Sequence, residues 1–133
     1  MIKGISHITY IVQDLKKSTN FFSKIFDAKE VYSSGDATFS LSREKFFLIN
    51  NIWIAIMEGK SLNKKTYNHV AFKVSKKDFG IYEQRIRKLD IEIKEARSRV
   101  NGEAQSIYFY DYDNHLFEIH TGTLKERLHK YKS

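Results

Sequence analysis

A chain of 133 residues is long enough for one ordinary domain with a buried core, or for two half-sized units packed together, and 41% hydrophobic with 29% charged residues excludes disordered and membrane classes. The absence of cysteine excludes disulfides, thiolate ligands, iron–sulfur clusters and a cysteine nucleophile, so any metal must be held by His, Asp or Glu. Lys and Arg number 23 against 16 Asp and Glu, a net charge of +7, but the basic residues are scattered and no helix-turn-helix, RNP or zinc-finger pattern accompanies them; a solvated basic surface is expected and nucleic acid is not an expected partner.

No apolar run approaches the roughly 20 residues of a membrane span, and "MIKGISHITYIV" lacks the features of a signal peptide, so the expectation is a soluble, cytoplasmic protein with no membrane partner. "ISHITYIV", rich in β-branched and aromatic residues, reads as a strand. Asp14 offers an N-cap to a helix in which Leu15, Ser18, Phe22 and Ile25 recur at helical spacing. "KEVYSS" and "DATFSLS" read as strands around "GD" turn chemistry, and "EKFFLIN" and "IWIAIME" as two more joined by Asn50 and Asn51.

The second half repeats the order. "YNHVAFKV" reads as a strand, and "DFGIYEQRIRKL" as a helix with Phe79, Tyr82, Ile86 and Leu89 on one face. "IEIKEA", "SIYFYDYD" and "HLFEIHTG" read as strands, the last two joined by an Asp-Asn turn, and "LKERLHKYK" as a final helix after Thr123. "SHITYIVQDLKK" and "NHVAFKVSKKDF" match in pattern, and a repeat of this length predicts two similar βαβββ modules around a shared site. "NGEAQ" and "GKSLNKK" are the obvious connectors. With proline absent and six glycines, neither a phosphate loop nor a dinucleotide fingerprint is present.

His7 and His69 hold equivalent places near the start of each module's first strand, with Thr9 and Ile11 on the face of His7 and Tyr67 and Ala71 on that of His69. Glu118 shares a face of the last strand with Leu116 and His120, half buried unless paired. Two imidazoles and a carboxylate leave open positions on Mn²⁺, Fe²⁺, Zn²⁺ or Ni²⁺. His120 is the rival of Glu118 or a supporting partner, whereas His115 and His129 read as surface residues. Ser106, Tyr108 and Tyr110 share a strand face, where hydroxyls can orient an oxyanion or simply pack. Arg97, Arg99 and Arg127 are candidate anion contacts or solvated charges. In "FSLSREKFFLIN", Glu44 reads as a hairpin charge or as a carboxylate held for chemistry, and Arg43 and Lys45 as solvated turn residues.

The paired pattern with His7, His69 and Glu118 resembles the vicinal oxygen chelate superfamily, and "YNHVAF", "SIYFYDYDNHLFEIHTGTLKERL" and "SSGDATFSLSREKFF" resemble its fosfomycin-resistance branch over essentially the whole chain. The resemblance implies an α+β fold of two paired βαβββ modules in a cup-shaped mixed sheet: module one about residues 1–60, module two about 65–122 and a C-terminal helix about 123–131, as a single domain. It implies a domain-swapped homodimer in which His7 of one subunit meets His69 and Glu118 of the other around Mn²⁺.

"SLSREKFF" is similar to the water-adding FosX class, whose general base would be Glu44; sister enzymes add glutathione or another thiol. Thr9, Trp53, Tyr67, Ser106, Tyr108 and Arg127 match positions around the antibiotic. Arg99, with Arg97 as the alternative, is the expected basic contact to the phosphonate, because "ARSRVNGEAQS" departs from the glycine-containing loop of the thiol transferases; no potassium site is expected. The implied reaction is hydration of the epoxide of fosfomycin or a related small phosphonate, giving antibiotic resistance. The rivals are thiol transfer from bacillithiol or glutathione, drug sequestration without catalysis, and isomerase or dioxygenase chemistry.

Overall fold

The computed structural model describes residues 1–94 and 104–132. The described residues form two compact units, one of Met1–Thr66 with Asp111–His115, the other of Tyr67–Tyr110 with Leu116–Ser133.

The first unit runs β1 (His7–Val12), α1 (Leu15–Phe26), β2 (Lys29–Ser33), β3 (Glu44–Ile49) and β4 (Ile52–Glu58). The sheet order is β1-β4-β3-β2, with β1 parallel to β4 and the other neighbours antiparallel. The Asp14 carboxylate accepts from the Lys17 N–H at 3.0 Å and starts α1, which ends at Asp27 in the left-handed region, φ 52°. One face of α1 buries Phe21, Phe22 and Ile25 completely, against Val12, Phe47, Ile54 and Ile56 of the sheet. Phe22 stacks on Phe47 at 5.9 Å and meets Phe21 edge-on at 5.2 Å. Each such side chain contributes about 1.5–3 kcal/mol relative to exposure.

Period-two alternation then decides where the chemistry sits. Tyr10 and Val12 point into the core, leaving His7, Thr9 and Ile11 on the other face of β1. The registers His7↔Trp53, Thr9↔Ala55, Glu44↔Met57 and Phe46↔Ala55 bring Trp53, Glu44 and Phe46 onto that same face.

The second unit repeats the plan with β5 (His69–Lys73), α2 (Phe79–Lys88), β6 (Ile93–Lys94), β7 (Ser106–Tyr110), β8 (Leu116–His120) and α3 (Leu124–Lys132). Its sheet order, β5-β8-β7-β6, again has the first strand parallel to the last. Registers Ala71↔Glu118, Tyr108↔Glu118 and Ser106↔His120 place Glu118 at the centre of one face. Thr123 caps α3 by accepting from the Glu126 N–H at 3.1 Å, and its hydroxyl donates to the Glu126 carboxylate at 2.9 Å.

One expected strand is absent. "DATFSLS" forms turns and bends, with Phe39 79% and Leu41 87% exposed. Its alternation suits a strand, but the antiparallel partner of β2 is β3, which follows the segment, so the segment serves as the connection between them. The segment instead loops out between Ser34 and Glu44. The Glu44 N–H donates to the Ser34 hydroxyl at 2.9 Å and the Ser34 N–H donates to the Glu44 carbonyl at 3.0 Å. The turn at Asn50 and Asn51 is as expected, with Asn50 at φ 53°.

Candidate active site

In the second unit, His69 and Glu118 meet across β5 and β8. His69 Nδ1 is 2.7 Å from the Tyr67 carbonyl oxygen, and its Nε2 is 3.0 Å from Glu118 Oε1. A carbonyl only accepts, so Nδ1 carries a proton and, in the neutral ring, Nε2 presents its lone pair to a carboxylate. Two acceptors at that separation need a cation between them, whether a proton or a metal ion. This donor set fits a metal, and the Tyr67 carbonyl is the orienting partner that metal-binding histidines use.

Glu118 is only 4% exposed. It is paired, accepting from the Ser106 hydroxyl at 2.7 Å and lying 3.2 Å from His120 Nδ1. The Tyr67 hydroxyl donates to that of Tyr108 at 3.0 Å, and Tyr108 meets the His69 ring edge-on at 5.4 Å. Burial, then the bond with Tyr67 and the charge of Glu118, push the Tyr108 phenol well above its ordinary range, so it stays neutral at any physiological pH. Arg127, on the exposed α3, brings its Nη2 to 3.4 Å from His120 Nε2.

In the first unit, His7 lies against Trp53 with ring centroids 4.2 Å apart, and the Ser6 hydroxyl is 3.0 Å from His7 Nδ1. A cavity of about 240 Å³ opens on the same face, with His7, Thr9, Ser40, Glu44 and Trp53 among its lining. Glu44 is 9% exposed, and among the described residues its carboxylate has no hydrogen-bond or ion-pair partner. Trp53 Nε1 is a buried donor with no acceptor among the described residues. A carboxylate that lines the cavity without a partner and a buried, unpaired N–H stand beside one another there, and the buried N–H is costly to the fold alone. They mark a place for a polar ligand.

The neighbours of Glu44 differ from the expectation of solvated turn charges. Arg43 forms a forked pair with Glu58, its Nε 3.2 Å from Oε1, and Lys45 Nζ reaches Glu30 at 2.9 Å. The pairing partners are 15 residues away in sequence, supplied by strand register, so sequence reading had no local signal for them. Both cations are thereby committed away from Glu44.

His115 is likewise no surface residue. Its Nδ1 is 2.8 Å from Asp111 Oδ2 and its ring meets Tyr10 edge-on at 4.9 Å, because the turn after β7 folds into the first unit. Burial, and then Asp111, raise the Tyr10 phenol. His129 is exposed, as expected. Arg97 and Arg99 lie outside the described residues. Among the described residues no three His, Asp or Glu side chains form a metal-holding group. His69 and Glu118 belong to one unit, and His7, Glu44, Thr9 and Trp53 to the other.

Residues 4–119 match the family model described as the glyoxalase/bleomycin resistance protein/dioxygenase superfamily. The fosfomycin resistance protein FosX of Listeria innocua is 63% identical over 98% of both chains, and FosX of Mesorhizobium japonicum is 56% identical over 96% of this chain and 92% of its own. A variant FosX of Listeria monocytogenes, solved as a complex with Mn(II) and 1S,2S-dihydroxypropylphosphonic acid, superposes with a TM-score of 0.88 at 55% identity, covering 98% of this chain and 99% of its own. The α+β arrangement of two four-stranded sheets is that of the vicinal oxygen chelate fold. By sequence and fold alike, the chain belongs to this superfamily and, within it, to the FosX fosfomycin resistance proteins.

Proposed function

We propose that this protein is a Mn²⁺-dependent hydrolase that adds water to the epoxide of fosfomycin and so confers antibiotic resistance, with His7, His69 and Glu118 as metal ligands and Glu44 as general base. The observation that carries the reading is the meeting of His69 Nε2 and Glu118 Oε1 at 3.0 Å with Nδ1 held by the Tyr67 carbonyl, which leaves two acceptors facing one another. The FosX relative crystallised with Mn(II) and a dihydroxypropylphosphonic acid supports the choice of metal and substrate, since that acid is fosfomycin plus one water.

Manganese, when bound, supplies Lewis acidity toward the oxygen that leaves carbon as the epoxide opens. The protein's own residues do the remainder. Glu44 takes a proton from water while the water oxygen bonds to an epoxide carbon; the breaking C–O bond leaves its electron pair on the ring oxygen, which takes a proton from solvent to complete the diol, and Glu44 gives its own proton back to solvent. Glu44 suits this task because neither Arg43 nor Lys45 claims its carboxylate. Thr9, Trp53, Tyr67, Ser106, Tyr108, Arg127 and Arg99 surround the substrate in this reading, the Trp53 N–H and the neutral Tyr108 phenol offering donors to its oxygens.

In this proposal a homodimer joins His7 of one protomer to His69 and Glu118 of its partner, and the protein works in the cytoplasm. No helix among the described residues is long and apolar enough to cross a membrane. The test is ³¹P NMR of fosfomycin with protein and Mn²⁺, without any thiol, in ¹⁸O-labelled water. Labelled diol is the expected product; consumption only when bacillithiol or glutathione is supplied would make the protein a thiol transferase.

A further inference from the structure

We infer that His120 is a positioning residue, whose imidazole bridges Arg127 and Ser106 and so holds the Ser106 hydroxyl on the carboxylate of Glu118. The inference deepens the function proposed above and rests on it for its meaning, though the contacts that carry it are of this chain alone. The Ser106 oxygen is 2.7 Å from Glu118 Oε2 and 2.7 Å from His120 Nδ1, and His120 Nε2 is 3.4 Å from Arg127 Nη2.

The two ends determine the direction of every bond between them. A guanidinium only donates and an ionised carboxylate only accepts. The single Ser106 proton therefore goes to Glu118, and His120 Nδ1 carries a proton that it donates to Ser106. Nδ1 also lies 3.2 Å from Glu118 Oε2, so this proton is shared between hydroxyl and carboxylate. His120 Nε2 keeps the lone pair that faces Arg127. With one nitrogen directed at Ser106 and Glu118 and the other at Arg127, His120 supports the ligand Glu118 and does not replace it.

A second observation concerns room for the ring. A Cβ at Gly122 would lie 2.8 Å from His120 Nε2 and 2.7 Å from the Ala104 Cβ. The Gly122 backbone has no positive φ, so glycine is needed there for space and not for conformation. The chain thus gives up a side chain where the imidazole must lie.

The consequence is that one side chain sets two parts of the site. Through Ser106 it fixes the carboxylate proposed to hold the metal, and through Nε2 it steers the guanidinium proposed to meet the phosphonate. Supporting contacts of this kind typically matter by 10- to 100-fold in metal affinity or activity, on the order of the ligands' own orientation.

Two substitutions separate these effects. His120→Phe removes both contacts, while His120→Asn keeps an N–H donor near the place of Nδ1 and has nothing to meet Arg127. Mn²⁺ affinity, read from the EPR signal of free Mn²⁺, is expected to weaken about 10- to 100-fold in the Phe variant and to return near the wild-type value in the Asn variant. The KM for fosfomycin is expected to rise in both. Long-range ¹H–¹⁵N spectra of the full-length wild-type chain, before Mn²⁺ is added, should show the His120 proton on Nδ1. A proton on Nε2, unchanged Mn²⁺ affinity in a folded Phe variant, or an Asn variant as impaired in metal binding as the Phe variant would overturn the assignment. Should the Phe variant fail to fold, the spectra and the Asn variant decide. Failure of wild-type protein to hydrate fosfomycin would sink the functional reading, while the spectra and metal titrations would still judge His120.

Discussion

Replacing Glu44 by Gln is the sharpest probe of the proposed chemistry, because it changes one proton acceptor and almost nothing else. The backbone of residue 44 exchanges bonds of 2.9 and 3.0 Å with Ser34 and stays in register opposite Met57 whichever side chain it bears. Removing the charge strands no cation, since Arg43 is held by Glu58 and Lys45 by Glu30. A carboxylate that is 9% exposed and lacks a partner among the described residues contributes nothing to folding that an amide would lose, so unfolding midpoints should hold or rise. General-base help is worth about 10² to 10⁴ in rate, or about 3–5 kcal/mol at 1.36 kcal/mol per decade. Diol formation followed by ³¹P NMR should therefore fall at least a hundredfold in kcat, with Mn²⁺ affinity nearly unchanged. Metal binding lost as completely as in a Glu118→Ala variant would make Glu44 a ligand, and an unchanged kcat would remove it from the mechanism.

Glu118→Ala should abolish Mn²⁺ retention measured by EPR and, like exhaustive chelation of the wild type, stop diol formation, with activity restored by added Mn²⁺ only in the wild type. Gly122→Ala should drive the His120 ring from its place and weaken Mn²⁺ binding in the same sense as His120→Phe, because the added Cβ meets Nε2 at 2.8 Å. Phe22→Ala, at a fully buried ring stacked on Phe47, should cost about 3–5 kcal/mol in urea unfolding. The Arg43 guanidinium, by its hydrogen bond first and its charge after that, holds the Glu58 carboxyl below its ordinary range. The pair's contribution is therefore full above the unfolded-state value of about 4.3 and lost as pH falls through the lower folded one, so Arg43→Ala should lower stability slightly at neutral pH, as expected of an exposed pair, and the difference from wild type should vanish in acid, flattening the acid limb of the stability profile.

Much of the fold was legible because the residues that define it repeat at short range. Alternation in "SHITYIV" and "NHVAFKV", helical spacing in the segments after them, and Asn50, Asn51 and the Asp-Asn turn are all local signals, and they yielded the order of strands and helices in both halves. The strand assigned to "DATFSLS" failed because local alternation does not say which later segment a strand will pair with, and β2 pairs with β3. The same limit hid the partners of Arg43, Lys45 and His115, which come from strand register and from a turn that packs into the first unit. His69 and Glu118 were found as candidates from strand position, but not the Tyr67 carbonyl that sets the imidazole's tautomer; a main-chain acceptor leaves no mark in a sequence. The residues around Glu44 left it open between a hairpin charge and a base, and the Glu58 and Glu30 partners of its flanking cations had no local signal.

On the proposed roles, the duplicated sheets serve two tasks with one plan. Counting along the ladders, the place of Glu118 on β8, opposite Ala71 and Tyr108, corresponds on β4 to Ala55, opposite Thr9 and Phe46. The place of Ser106, first in β7 and opposite His120, corresponds to Glu44, first in β3 and opposite Met57. Each module thus carries one acidic residue on this face, but at different ladder positions. On the proposed ligand set, a glutamate at position 55 would supply a fourth protein ligand and occupy a position that the substrate's oxygens need, whereas Ala55 leaves it open. The acid at position 44 stands instead beside the cavity, at the start of β3, the place the proposed general base would need. On the proposed roles, the difference between holding the metal and activating water comes from where along a repeated register the carboxylate stands.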